Sequence, residues 1–396
     1  MIPGLLVALL MACWTLLLVW YRRPLHAFWR EPVLKHPVLI LESDDWGAGP
    51  AEQVPALRAL QELLSARHDA AGNPPVMTLG VVLAAIEGLN PEEGRLQMST
   101  LRDSVNAEVL AALRHGEAAG VLVPQLHGFA HFEPSVLAKA ATVDPAVAAW
   151  CVEAAPRWTE DLPSSLQSAL IDGAGLPSGE LSPAVIADSI ARQGELWRDL
   201  FGSPPRVAVP TTFIWNDVAE AAWGAAGVRW LVTPGHRATR RERDGNPARP
   251  DRRCLTGQRS PAGLVYLVRD VYFEPARGHG ISTVLLALAT RIAEGRACLI
   301  ETHRFNYAGP HATSQSLDRL GTLLDAALRQ YPSLRFLSTE ALGRALEARD
   351  PALVAGSLGP RLRAWLARSV GLPRFGRLAT LSGLLPVLRG IAWVLP

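Results

Sequence analysis

Short runs of aliphatic and β-branched residues recur along the chain, each followed by a stretch with apolar positions at helical spacing. The runs predict strands at 37–42, 76–82, 121–126, 206–210, 228–233, 264–269 and 297–302, with a further short one at 334–337. Helices are expected at 51–66, 103–119, 184–201, 217–226, 282–294, 314–330 and 339–348. Asn216 is placed to cap the fourth helix, and Gly227 and Gly295 stand just past the fourth and fifth, where a left-handed residue ends a helix. Seven or eight βα units with right-handed crossovers predict a (β/α) barrel, with a doubly wound sheet as the alternative.

Two stretches break the alternation. Residues 132–183 hold Trp150, Trp158 and several prolines and are expected to form a lid-like insertion. Residues 236–260 carry eight arginines against three acids and are expected to be an irregular, solvated loop. The other reading of that loop is a clamp for a phosphate or another anion.

The ends differ from the body. Met1 to Trp20 has no charged side chain and is almost wholly apolar, so 1–22 is expected to be a membrane anchor. Arg22, Arg23, Arg30 and Lys35 follow; by the positive-inside tendency they place the body in the cytoplasm. Residues 351–396 interleave six arginines with Leu, Trp and Phe, contain no acid, and are broken by Gly371, Pro373 and Pro386. A segment lying on the membrane surface is expected there, with a tail packed on the domain as the alternative. Between the ends, 35–348 would form the barrel.

Composition narrows the class. Of 396 residues, 49% are hydrophobic and 19% charged, which excludes a disordered chain and a multispanning membrane protein. The net charge of +2 divides into +3 for residues 1–35, +6 for 351–396 and −7 for the rest. An acidic body with basic apolar ends points to an anionic membrane surface and away from nucleic acid. Cys13, Cys151, Cys254 and Cys298 lie far apart with no CxxC pair, which excludes a zinc ribbon or disulfide framework.

In a barrel, chemistry collects where strands end. After the first predicted strand stand Asp44 and Asp45; after the third, His127 and His131; after the seventh, His303. Two imidazoles and a carboxylate suit Zn²⁺ or a similar divalent ion with positions left open. Histidines four apart converge if the segment makes a helical turn. Of two adjacent carboxylates, one can hold the ion while the other handles a proton, and a further histidine can protonate a leaving group. Taken singly, the Asp pair could cap a helix, the two histidines could be packed or solvated, and His303 could be a satisfied core histidine.

At these residues the chain resembles the polysaccharide deacetylase, or NodB-homology, family. The resemblance runs from about Val38 to Leu346 in strand order and rests on three short motifs: the acid pair, HxxxH and the late histidine. It implies a distorted (β/α)₇ barrel, a divalent metal, most simply Zn²⁺, and removal of an acyl group from a sugar. Carried over, Asp44 would be the base, Asp45, His127 and His131 the metal ligands, and His303 the acid. Trp46, Arg206 and Arg304 would contact substrate, with Arg206 and Pro210 the nearest counterpart of the family's base-orienting arginine-proline motif. The chain departs from the pattern in placing Trp46 before Gly47 and in having Gly128 where Ser or Thr is usual.

The substrate expected is an acylated sugar or polysaccharide at or near a membrane, with a lipid-linked one among the candidates. Most of the family's members act outside the cytoplasm, so a periplasmic or extracellular body is the alternative to the charge-based placement. Two other functions fit the same residues: a glycosidase on a related barrel using Asp44 or Glu133, and a non-catalytic glycan-binding or assembly protein of envelope-polysaccharide synthesis.

Overall fold

The computed structural model describes residues 2–90, 93–153, 157–313 and 315–395. Met1, Ser314 and Pro396, the outer limits of the predicted anchor, sixth helix and tail, lie outside these.

The apolar runs form strands β1 (Val38–Gly47), β2 (Met77–Val82), β3 (Leu122–Gly128), β4 (Val207–Ala208), β5 (Trp230–Thr233), β6 (Val265–Val268), β7 (Val271–Tyr272), β8 (Cys298–His303) and β9 (Arg335–Phe336). All belong to one parallel sheet in the order β6-β5-β4-β3-β2-β1-β8-β7, with β9 added beside the start of β1. The two ends of that order, β6 and β7, are separated only by Arg269 and Asp270. One continuous stretch therefore pairs with β5 through its first half and with β8 through its second. The sheet must curl to allow this, giving an α/β fold of the distorted-barrel kind rather than an open doubly wound sheet.

Helices pack outside. Those at Asp217–Ala226 and Thr339–Ala348 have the predicted bounds, and Asn216 caps the former through Ala219 N at 3.0 Å. The outward side chains of the strands and the apolar faces of the helices share one large core that includes Leu57, Leu79, Leu113, Ile190 and Leu324. The barrel interior is in part polar: Glu42, Thr78, Gln125, Arg269 and Glu301 are all buried.

Three stretches hold more regular structure than the alternation predicts. Residues 236–260 are less irregular than expected, because a short antiparallel pair forms (His236–Arg237 with Arg252–Arg253), while Arg243, Arg249 and Arg253 remain exposed. Arg237, only 3% exposed, binds Asp251 at 2.5 Å and Asp217 at 2.6 Å, and Arg252 binds Asp217 at 3.0 Å, so neither is free to clamp an anion. The 132–183 insertion carries regular structure, with helices Pro134–Ala141 and Pro145–Val152 packed with Phe132, Trp150 and Leu166 in a core of their own. An antiparallel hairpin, Ala84–Asn90 with Arg95–Thr100, follows β2 where no strand was expected.

The first segment also differs from expectation. The helix Ile2–Trp20 stops at Tyr21 and bends by 69° into a second helix, Arg22–Arg30. No single helix among the described residues is long and apolar enough to cross a membrane, so the single-pass anchor does not appear as one span. The tail is helical at Leu358–Val370, Phe375–Leu381 and Leu384–Val394.

Candidate metal centre and active site

Strand geometry alone would separate Asp44 from Asp45, because successive side chains point to opposite faces. A register slip against β2 between Ser43 and Trp46 inserts one extra residue, and Asp45 takes a left-handed backbone (φ 74°). Such a conformation is costly for a residue with a Cβ and is held only where the surroundings enforce it. The bulge brings both carboxylates to the mouth of the barrel. Gly80 makes room for the first, since a Cβ there would lie 2.4 Å from Asp44 Oδ1.

His127 is the last residue but one of β3, and His131 follows a bend that leaves the strand at Gly128, whose φ of 132° favours glycine. The two rings meet through this bend, not through the helical turn expected from their spacing; the next helix begins only at Pro134. The Nε2 atoms of His127 and His131 lie 3.3 and 3.0 Å from Asp45 Oδ1, and all three residues are buried. One ligand atom from each falls within 4.8 Å of the others.

Two observations test whether this cluster suits a cation. His127 Nδ1–H donates to Val209 O at 2.9 Å, which leaves the Nε2 lone pair aimed at the carboxylate. Asp45 Oδ1 makes no hydrogen bond although it is buried. Lone pairs converging on an unsatisfied anionic oxygen repel unless a proton or a metal ion lies between them. Burial works against charge on these groups, yet His131 and His127 hold the Asp45 carboxyl well below its usual range. His127 is likewise raised against burial by Asp44 and Asp45. The donor set fits a divalent ion.

Asp44, 2% exposed, receives Nη1 and Nη2 of Arg269 at 3.1 and 2.5 Å. Burial alone would raise its pKa, but Arg269, His127 and His303 outweigh it and lower the value. Arg269 is fully buried and also pairs with Glu42 at 2.7 Å and Glu301 at 3.2 Å. One guanidinium thus serves three carboxylates, and burial leaves Glu42 and Glu301 raised while Asp44 stays ionised.

His303 sits opposite Asp44 in the β1–β8 register. Its Nδ1 bonds Glu274 Oε1 at 2.6 Å, its ring stacks on Phe305, and 23% of its side chain remains open to solvent. Burial opposes the imidazolium, but Glu274 dominates and the pKa rises to about 10. Asn306 Nδ2 donates to the other Glu274 oxygen, fixing that carboxylate.

The structure gathers Asp44, Asp45, His127, His131 and His303 at one mouth of the barrel but not the three residues expected to touch substrate. Trp46 is 0% exposed; just past the bulge its ring stacks on Tyr307 and its Nε1 donates to Ser43 Oγ at 2.8 Å. Arg206 precedes β4, at the end of the barrel away from the cluster. Arg304 is buried and committed to Glu160 at 3.1 Å, with its guanidinium over Trp158, so it fastens the insertion to the barrel. Glu133 caps the helix Pro134–Ala141 through Val136 N at 2.9 Å, which removes it as a free glycosidase carboxylate.

Sequence reasoning missed Arg269 and Glu274. Arg269 had a signal: a charged residue closing the apolar run Leu264–Val268. Glu274 had none beyond following the short β7.

No family model matches the sequence, and no curated protein does. Among solved structures the chain is similar to a family 4 carbohydrate esterase from Streptomyces lividans in complex with acetate, at 12% identity over 76% of this chain and 91% of that one, TM-score 0.35. It is similar to the peptidoglycan deacetylase PdaC from Bacillus subtilis at 12% identity over 80% and 95%, TM-score 0.38. Family 4 esterases recur among the matches. A 4-α-glucanotransferase from Thermococcus litoralis also matches, at 10% identity over 79% of this chain and 40% of that one, TM-score 0.42. Likeness this distant carries no argument about chemistry, which rests on the side chains.

Proposed function

We propose that the protein is a metal-dependent hydrolase that removes an acyl group, most simply acetyl, from a sugar or polysaccharide. The observation that carries the reading is the buried Asp45–His127–His131 cluster with an unsatisfied Asp45 oxygen, flanked by Asp44 on the Arg269 guanidinium and by His303 on the Glu274 carboxylate. Asp45, His127 and His131 would hold a divalent ion, which we take to be Zn²⁺; when bound, it supplies Lewis acidity to an acyl oxygen and lowers the pKa of water.

The protein's own groups do the rest. Asp44, kept ionised by Arg269, takes the proton of the attacking water through a lone pair not used by the guanidinium. His303, kept protonated by Glu274 and partly open to the cleft, gives a proton to the departing nitrogen or oxygen. The two groups have environments that push their pKa values apart, the pattern that assigns a base and an acid at one pH.

The test is metal analysis of the purified protein with an assay on acetylated aminosugars and glycans. Activity that accompanies one bound ion, and that Asp45→Ala and His127→Ala abolish together with the ion, supports the reading. Turnover that survives both substitutions refutes it. The basic apolar ends support work at a membrane surface, and the charges after residue 20 support a body on the cytoplasmic side.

A further inference from the structure

The two chain ends, 350 residues apart in sequence, fold against each other. Leu17, Leu25 and Phe28 share one apolar core with Leu366, Phe375, Leu384, Leu385 and Ala392. Trp14 Nε1 donates to Ser382 O at 2.8 Å, Trp365 Nε1 to Leu25 O at 2.8 Å, and Tyr21 Oη to Pro373 O at 2.9 Å. Arg368, 2% exposed, donates to the carbonyls of Phe28, Glu31, Pro32 and Glu294 at 2.8 to 3.0 Å. Five helices thus make one body, and it is locked to the barrel through residues 31–32, just before β1, and Glu294, just before β8.

The outer surface of this body is unusual. Every residue from Gly4 to Cys13 is exposed, with Leu5 at 65% and Leu9 at 59%. Leu381 at 75%, Trp393 at 87%, Val394 at 79% and Trp20 at 83% extend the apolar surface. Residues 1–30 and 357–396 contain nine arginines and no aspartate or glutamate. Among them Arg22, Arg23, Arg374, Arg377 and Arg389 are exposed. An exposed apolar surface that also presents tryptophan and arginine, from segments with no acid, is complementary to a bilayer carrying anionic headgroups. The free stretch Gly4–Cys13 would reach about 15 Å as a helix, the depth of about one leaflet's hydrocarbon. From Trp14 onward the helix is held by the tail. The pairs Gly4–Trp20 with Arg22–Arg30 and Phe375–Leu381 with Leu384–Val394, bent by 69° and 87°, pass as broken spans by length and composition.

We infer that the two ends form a single docking platform that dips into an anionic bilayer, with the catalytic mouth turned away from the lipid. The orientation follows from where the platform is tied: it grips residues that precede β1 and β8, whereas Asp44, Asp45 and His303 lie at the other ends of those strands. At about 3.3 Å per residue, the six residues from Val38 to Asp44 put the reacting carboxylate roughly 20 Å further along. For the proposed hydrolase, on which this corollary rests, the orientation favours acyl sugars on chains that extend from the surface over a sugar joined directly to a lipid carrier.

The test uses the full chain and vesicles of phosphatidylcholine with or without phosphatidylglycerol, and reads lipid binding without turnover, so it stands apart from the hydrolase assay. Flotation with the anionic vesicles is expected, and Arg374→Glu, Arg377→Glu and Arg389→Glu together should weaken it by at least about a hundredfold. Cys13 is the exposed cysteine and Cys151, Cys254 and Cys298 are buried, so a thiol-reactive, polarity-sensitive dye reports on the first helix. That dye should shift to the blue and be quenched by lipid-borne quenchers. The same dye on Ser135→Cys in a Cys13→Ser chain, four residues past His131, should stay in water. Failure to float, a self-associating chain whose Cys13 dye is buried without lipid, or quenching at position 135 equal to that at Cys13 would each overturn the inference.

Discussion

Arg269 and Asp44 form a fully buried bidentate pair, and the arginine comes from the point where one stretch of chain passes from one edge of the sheet to the other. Closing the barrel and holding the base are therefore done by the same residue. With Glu42 and Glu301 also on the guanidinium, removing its charge would strand three carboxylates, a heavily destabilising change. Arg269→Lys keeps the charge and loses the fork. It should raise the Asp44 pKa and move the acid limb of kcat/KM to higher pH, with bound metal retained. Asp44→Asn should retain the metal and lose about 10²- to 10⁴-fold in kcat. A pH–rate profile beside metal analysis checks both.

Gly80 tests how closely Asp44 must be placed. A methyl group there would lie 2.4 Å from Asp44 Oδ1 and 3.1 Å from its Cγ, so the carboxylate must move. Displacement of a reacting group by about 1 Å costs on the order of 100-fold in rate. Gly80→Ala should lower kcat by about that factor while leaving metal content near that of the parent, because the Asp45 cluster lies beyond the contact. A variant with parental kcat would show that Asp44 is not the base.

Chelation gives an independent measure of the metal centre. The cluster brings a buried carboxylate and two imidazoles into mutual contact, so an ion bound there stabilises the folded state by mass action, by about 4 kcal/mol when free metal exceeds Kd a thousandfold. The protein stripped by chelator should melt at a lower temperature than the metal-loaded one. In His131→Ala, which removes a ligand without touching the strands, that difference should shrink or vanish. Differential scanning calorimetry with and without chelator reads it directly.

The legible part of this protein was the repetition of local patterns: apolar runs that became β1, β2, β3, β5 and β8, and helices whose ends lie within a few residues of expectation. The acid pair and the three histidines were legible because polar residues at strand ends interrupt otherwise apolar stretches. What sequence could not carry was direction. Trp46 looked available beside Asp45, but the one-residue bulge turns it into the core. Arg206 matched a motif in order along the chain, yet it stands at the beginning of its strand and the chemistry is at the ends. Arg269 does the orienting instead, through a contact 225 residues distant that periodicity does not register. The first end follows the same rule: the bend at Tyr21 and the packing of its helices on the tail, contacts 340 or more residues distant, do not register in periodicity.

His303 sets the alkaline side of the expected pH profile. Its folded pKa is raised to about 10 by Glu274 against burial, compared with about 6.5 when the chain is unfolded. The imidazolium–carboxylate pair therefore stabilises the fold fully below about pH 6.5, and that contribution is lost as pH rises through about 10. As the general acid, His303 must carry a proton, so kcat/KM should hold its plateau until about pH 10 in the parent. Glu274→Gln keeps the shape and the contact with Asn306 but removes the charge that holds the proton. In that variant the main influence opposing burial is gone, and the alkaline limb should fall to lower pH while metal content is unchanged. Substrates with good leaving groups, which need little protonation, should be affected least. An alkaline limb that stays near pH 10 in Glu274→Gln would mean that the titrating acid is some other group.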